Sequence, residues 1–280
     1  MKQRLAPLFM ERLDFITSTP DDTTADEPVD LLQMMMRYAQ SEQPQELNLD
    51  SLVKRLCLAN LSSMQQTTFA AINLVLDIIG SDVEFNTVAV LRDEVNRVLG
   101  VDVGTRGQAW TKTNFSKLVA CDSVIRESMR LHSFGNRALL RVVMADGVRT
   151  EDGIELPKGS LVSVLSYPIH QNEDLFEDAT KFDPLRYTRR RDNGNADTRA
   201  GNLSLVTTGP QFLPFGHGKH ACPGRFLVDF ELKMLITHLL SHYDVKFPED
   251  YQGKRPPNRW ITEASLPPKG VRILVKRRNS

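Results

Sequence analysis

The apolar and polar positions fall into a long helical stretch first. From Ser51 to Ile79 the spacing predicts one helix, with Asp50 as its N-cap and Gly80 as its stop. Apolar residues occupy most sides of its second half (Phe69, Ala70, Ala71, Ile72, Leu74, Val75, Leu76), which predicts burial all round. Its middle is different. Ser62 to Thr68 is polar at six of seven positions, and seven residues go all the way round a helix, which a solvent-facing stripe does not do. A second helix is expected over 114–132, where Phe115, Leu118, Cys121, Ile125 and Met129 follow helical spacing. Strand patterns come next, at Leu139–Met144 and Leu161–Tyr167 around an Asp152–Gly153 turn. A last hairpin is expected from Trp260–Ile261 and Val271–Val275, turning around Pro267–Gly270. Residues 18–29 and 188–202 read as surface loops, and no internal repeat is visible. The fold class this predicts is mainly α with small β-sheets.

Composition narrows the function classes. The chain has 280 residues, 41% hydrophobic and 25% charged, with 35 basic and 35 acidic side chains and therefore no net charge. That is ordinary for a globular protein and argues against a general nucleic-acid binder. No stretch approaches the ~18 consecutive apolar residues of a membrane span. The first fifteen residues carry charges inside any apolar run, unlike a signal peptide. Three widely spaced cysteines, Cys57, Cys121 and Cys222, fit a reducing compartment better than a disulfide framework. Charge is uneven, the first fifty residues being acidic and the last thirty basic. A solvated terminal strand with a charged tail explains the basic end.

The candidate chemistry lies in Phe215-Gly-His-Gly-Lys-His-Ala-Cys-Pro-Gly-Arg225. Gly216 and Gly218 permit tight turns and close approach to a flat ligand. Pro223 and the apolar run Phe226, Leu227, Phe230, Met234, Leu235, Leu239 predict a helix that places Cys222 at its N-cap. Exposed amides there favour a thiolate, which is a soft metal ligand or a nucleophile. A buried cysteine at a helix start is the plainer alternative. His217, His220 and Cys222 lack a fourth ligand at zinc spacing.

The pattern Phe215-x-x-Gly218-x-x-x-Cys222-x-Gly224 resembles the haem-binding signature of the cytochrome P450 family, the haem-thiolate monooxygenases. Three further segments match in order: Glu127-x-x-Arg130, then Phe182-Asp-Pro-Leu-Arg186-Tyr187 before the haem loop, and Gln66-Thr67-Thr68 on the long helix. The wording around Cys121 and Cys222 is most similar to fungal enzymes of secondary metabolism. The resemblance implies haem b, with Cys222 as axial ligand of the iron and electrons from NADPH through an NADPH-cytochrome reductase. It implies insertion of one oxygen atom of O2 into an apolar small molecule, such as a terpenoid or polyketide intermediate.

Each matched residue carries an expectation. Cys222 would give electron density to the iron, His220 and Arg141 would bind haem propionates, Phe215 would shield the thiolate, and Gly218 and Gly224 would shape the loop. Glu127, Arg130 and Arg186 would form a buried structural network. Thr67 would bond to iron-bound dioxygen and its proton-delivery water. Gln66 stands where the family usually has an acid, and an amide orients water without titrating. The resemblance covers the C-terminal part of the family's fold as one partial domain over 1–280. It implies that the earlier helices and the membrane anchor lie outside this chain, the family being usually at the cytosolic face of the endoplasmic-reticulum membrane. It therefore also admits a truncated, catalytically inactive remnant.

Overall fold

The computed structural model describes residues 1–18, 27–100, 110–192 and 203–278, with backbone only for 190–192. They form two compact units, Met1–Gln66 and Thr67–Ser280. Most of the expected loop 18–29, and 193–202 of the other, lie outside the described residues; 188–192 are helical, not loop. No helix of the described residues is long and apolar enough to cross a membrane.

The first unit holds α1 (Lys2–Ser18), α2 (Leu31–Glu42) and the first part of α3 (Leu49–Phe85). Asp30 caps α2 by accepting the Gln33 N–H at 2.8 Å. Phe9, Ile16, Leu32, Met36, Leu52 and Leu56 form its core.

Both ends of α3 differ from the expectation. Asn48, not Asp50, caps it, its Oδ1 accepting the Ser51 N–H at 2.9 Å. Gly80 does not stop it; the helix runs on to Phe85 and ends against left-handed Asn86 (φ 50°). The glycine has another use. A Cβ at Gly80 would come 2.9 Å from the Arg255 Cβ, so its absence lets the C-terminal segment lie against the helix. Arg255 there pairs through Nε with Asp77 at 2.5 Å. Burial of the second half of α3 is one-sided and not all round as expected: Leu74 and Leu76 are interior with Ile78, Ile79 and the polar Asn73 and Asp77, Phe69, Ala70, Ala71 and Val75 are half-buried, and Ile72 is exposed.

In the second unit α4 (Thr87–Leu99) follows, then the expected single helix over 114–132 is two pieces, α5 (Lys112–Phe115) and α6 (Val119–Leu131). Leu118 before α6 is non-helical and offers no side-chain cap. The cap comes from α4: buried Glu94 accepts the Ala120 N–H at 2.7 Å and the Cys121 N–H at 2.8 Å. A carboxylate at a helix N-terminus satisfies orphan amides and opposes the positive end of the dipole. Leu74, Leu91, Val95, Phe115, Val124 and Ile125 pack around it with Leu232, Ile236 and Leu240 of α9 (Arg225–His242).

Among the described residues, four two-stranded antiparallel sheets flank this core. β1 (Arg137–Val142) pairs with β4 (Leu161–Leu165), and β2 (Val148–Arg149) with β3 (Glu155–Leu156). α7 (Ser166–His170) and α8 (Arg186–Asp192) follow. The expected C-terminal hairpin is wrong in its partners. β6 (Arg259–Ile261) turns at Thr262–Glu263 onto β7 (Ala264–Leu266), while β8 (Leu274–Arg277) pairs with β5 (Tyr243–Lys246) just after α9. Left-handed Thr262 (φ 52°) makes the tighter turn, and the Pro267–Gly270 segment connects two sheets instead.

Glu94→Ala leaves two buried amides unpaired at about 1–3 kcal/mol each, so it should lower unfolding free energy by on the order of 3 kcal/mol. Denaturant melts of wild type and variant measure this; an unchanged midpoint would show that α6 does not depend on this cap.

Candidate functional site: the Cys222 loop and its anchors

The glycine-rich loop starts from a buried pair, Phe212 and Leu213, and closes on itself through backbone hydrogen bonds. The Gly216 N–H donates to the Leu213 carbonyl at 2.9 Å, and the Cys222 N–H to the Phe215 carbonyl at 2.8 Å. Gly216 (φ 67°) and Gly218 (φ 74°) are both left-handed, which is the requirement behind two of the motif's glycines. A single turn at Gly218–His220 brings the chain round to Cys222.

Cys222 does not cap the following helix, contrary to the sequence expectation. The first helical bond runs from the Val228 N–H to the Gly224 carbonyl, so Gly224 is the N-cap and Pro223–Gly224 form the turn before it. The dipole therefore acts from beyond that turn. The cysteine is held by its backbone instead. Arg225 Nη1 donates to the Cys222 carbonyl at 2.7 Å and its Nε to the Val206 carbonyl at 3.1 Å. Arg225 stands in the motif, yet nothing in the local pattern marked it as the loop's clamp. A Cβ at Gly224 would sit 3.8 Å from the Cys222 sulfur, so the sulfur lies over the glycine backbone.

The three cysteines differ sharply. Cys121 is fully buried, and burial followed by the neighbouring Glu94 carboxylate pushes its thiol well above the usual range, so it stays neutral. Cys57 is exposed in the first unit. Cys222 is half-buried in the loop, beside buried Phe215 in the main core cluster.

The other expected residues divide. Glu127, Arg130 and Arg186 come together in the interior. Arg130 Nε and Nη2 donate to the two Glu127 oxygens at 2.8 Å each, and Arg186 Nε donates to Glu127 Oε1 at 3.0 Å. The side chains of Glu127 and Arg130 are fully buried. His220 and Gly218 are exposed. Arg141 is exposed on β1, where its Nη1 donates to the neighbouring Leu140 carbonyl at 2.7 Å; no contact joins it to the loop among the interactions described. The neighbourhood itself is shared: a cavity of about 390 Å³ is lined by Leu139, Leu140, Leu161, Leu213, Pro214 and Gly216 among others. On α3, Gln66 is exposed and Thr67 half-buried, within an uninterrupted helix.

Around this arrangement the sequence comparisons are decisive. The family model described as Cytochrome P450 matches residues 2–275. The chain belongs to the cytochrome P450 family. It is 48% identical over 283 residues to cytochrome P450 monooxygenase pbrC of Penicillium brasilianum, covering 100% of this chain and 52% of that protein. Cytochrome P450 monooxygenase astC of Aspergillus terreus is 46% identical, covering 100% and 53%. Cytochrome P450 monooxygenase tenB of Beauveria bassiana is 46% identical, covering 99% and 52%. The chain spans about half the length of the curated relatives it matches.

Members of the P450 family bind haem iron through a cysteine thiolate. The donor chemistry of this chain fits that group. One soft donor stands on a loop whose two left-handed glycines lack side chains, the second cysteine of this unit is locked neutral, and no group of three His, Cys, Asp or Glu suited to a metal occurs among the described residues.

The Glu127 cluster is tested by a double-mutant cycle. Glu127→Ala strands buried guanidinium charge and should cost about 3–5 kcal/mol. Glu127→Ala with Arg186→Ala should cost less than the sum of the two, because both remove the same contact. Additive losses in denaturant melts would mean that the two side chains act independently.

Proposed function

We propose that this P450 chain carries the haem-thiolate half of a monooxygenase that inserts one oxygen atom of O2 into an apolar small molecule of fungal secondary metabolism. The observation that supports it best is the Cys222 loop: a half-buried thiol held by its own backbone and by Arg225, while burial keeps the Cys121 thiol neutral. Bound haem would supply redox activation of dioxygen, which protein side chains alone do not provide. Cys222 is the proposed axial donor, Phe215 packs at the loop's buried side, and Gly216 and Gly218 leave the backbone bare for close approach. His220 and Arg141, both exposed, are the proposed cations for the propionates. Thr67 and Gln66 on α3 are the proposed groups that orient a water, the Gln66 amide hydrogen-bonding it without titrating. The Glu127–Arg130–Arg186 cluster is structural and touches no substrate.

NADPH-cytochrome reductase is the proposed electron donor, and the cytosolic face of the endoplasmic reticulum the proposed place of work. Relatives named as monooxygenases from Penicillium, Aspergillus and Beauveria support this class of reaction for the whole protein.

The ligand assignment is tested spectroscopically. Haem-loaded, reduced and exposed to carbon monoxide, wild type should give the absorption of a thiolate-ligated haem. Cys222→Ala should abolish that band, and Cys57→Ala should leave it. A thiolate band that survives Cys222→Ala would remove Cys222 from this role.

A further inference from the structure

One fully buried histidine joins the charged cluster to the thiolate loop, and nothing above assigns it a role. His170 closes α7 and has no exposed surface. It is held at both ends. Its carbonyl accepts from Arg130 Nη1, which also donates to the Ala179 carbonyl at 2.6 Å. Its ring Nε2 accepts the Leu213 N–H at 3.0 Å. Leu213 stands at the entrance of the loop, and its own carbonyl receives the Gly216 N–H. Two hydrogen bonds through one residue therefore connect Arg130 to the chain leading to Cys222.

The bond to Leu213 fixes the ring's protonation. A backbone N–H only donates, so Nε2 must present its lone pair, and a neutral ring then carries its proton on Nδ1. Nδ1 is buried and has no hydrogen-bond partner. Buried polar atoms are nearly always paired, so an orphan here marks a ring whose orientation is dictated by its other nitrogen. The surroundings favour the neutral state. Burial first, then the Arg130 guanidinium, with a smaller part from Arg126, hold its pKa down from 6.5 to about 4 against an opposing pull from the Arg130 backbone. The Phe212 ring lies against it with centroids 6.3 Å apart.

We propose that His170, as the neutral Nδ1-protonated tautomer, is a positioning residue for Cys222, fixing the entrance of the thiolate loop to the Glu127–Arg130–Arg186 cluster through its Nε2 acceptor. The proposal rests on the reading of Cys222 as the haem ligand and deepens it. The linkage has a definite sign. The ring's contribution to stability is full above about 6.5 and declines as pH falls toward about 4, because the unfolded chain takes up the proton first. Once the folded ring is charged, Nε2 and the Leu213 N–H face each other as two donors and the tie is lost.

The test uses the 280-residue chain. Ring nitrogen chemical shifts of His170 at neutral pH should report a proton on Nδ1; a proton on Nε2 would overturn the proposal without any mutation. Two variants then separate the acceptor from the packing. His170→Phe keeps a ring against Phe212 and removes the acceptor; His170→Gln offers an oxygen in its place. His170→Phe should speed exchange of the Leu213 amide about tenfold and alkylation of the Cys222 thiol severalfold, with the amides of Val119–Leu131 unchanged. His170→Gln should return both rates to near wild type. A His170→Phe protein with wild-type exchange and thiol reactivity would overturn the proposal, as would a His170→Gln protein that matches a perturbed His170→Phe. If His170→Phe does not fold, the ring-nitrogen shifts and the His170→Gln rates decide alone. The carbon-monoxide spectrum distinguishes the two levels. Wild type without a thiolate band removes the haem reading and leaves the Leu213 bond standing; a normal band and unaltered rates in His170→Phe remove the positioning role alone.

Discussion

A carboxylate and a guanidinium with no exposure sit inside this fold, and much of it is arranged to keep them there. Taking Glu127 and Arg130 out of water costs several kcal/mol per ion, more than their mutual attraction alone returns. The remainder has to come from saturating every donor and acceptor. Glu127 Oε1 accepts from Arg130, from Arg186 and from the Asp183 N–H at 3.2 Å. Arg130 donates to the carbonyls of His170 and Ala179 besides the carboxylate. Arg186 Nη1 reaches the Glu177 carbonyl at 2.6 Å. The chain from 170 to 186, which has little regular structure, is thereby bent around one carboxylate and its two guanidinium partners.

The same helix, α6, ties down a different segment with nearly every other polar side chain. Asp122 accepts the Leu205 N–H at 3.0 Å and the buried Lys233 ammonium of α9 at 2.9 Å. Burial alone would lower that ammonium's pKa, but Asp122 and Asp229 outweigh it and raise it above the usual range. Ser123 accepts the Tyr187 N–H at 3.1 Å, and Ser128 donates to Asp77 of α3 at 2.5 Å. Arg126 holds the carbonyls of Ser204 and Thr207 at 2.6 and 2.9 Å and lies over the Phe212 ring at 3.7 Å. Segments 204–213 and 225–233 flank the Cys222 loop on both sides in sequence. Each is fixed to α6, so the loop's two ends are set by one rigid rod.

The motif residues were legible because short-range chemistry constrains them. Two left-handed positions demand Gly216 and Gly218, and the run after Cys222 carries helical apolar spacing. Glu127 and Arg130 share a helix face at three residues' separation, which is visible in any helical reading. What stayed hidden works at a distance. The Glu94 cap lies 26 residues from Ala120, and Arg255 lies 182 residues from its acceptor Asn73. No local pattern announces such partners, so the start of α6 was placed too early and Gly80 was read as a stop. Asp77 and Asn73 were invisible for the same reason, being polar residues in a hydrophobic stretch whose partners arrive from elsewhere. The terminal hairpin failed differently: β8 finds its partner next to α9, and sequence proximity favoured β6.

These distant ties also change how the thiolate is understood. A helix end three residues away offers Cys222 less stabilisation than an N-cap position would, since the dipole's influence is confined to the first turn. The loop compensates with geometry. The Gly216, Ala221 and Cys222 amides are paired within the turn and the Cys222 carbonyl to Arg225, and no side chain at Gly224 covers the sulfur. In its proposed role the sulfur would be ionised by coordination itself, because a metal-bound thiol loses its proton. The buried charges of Glu127 and Arg130 reach the segment before this loop through backbone groups, at Ala179 and at His170, whose ring accepts the Leu213 N–H.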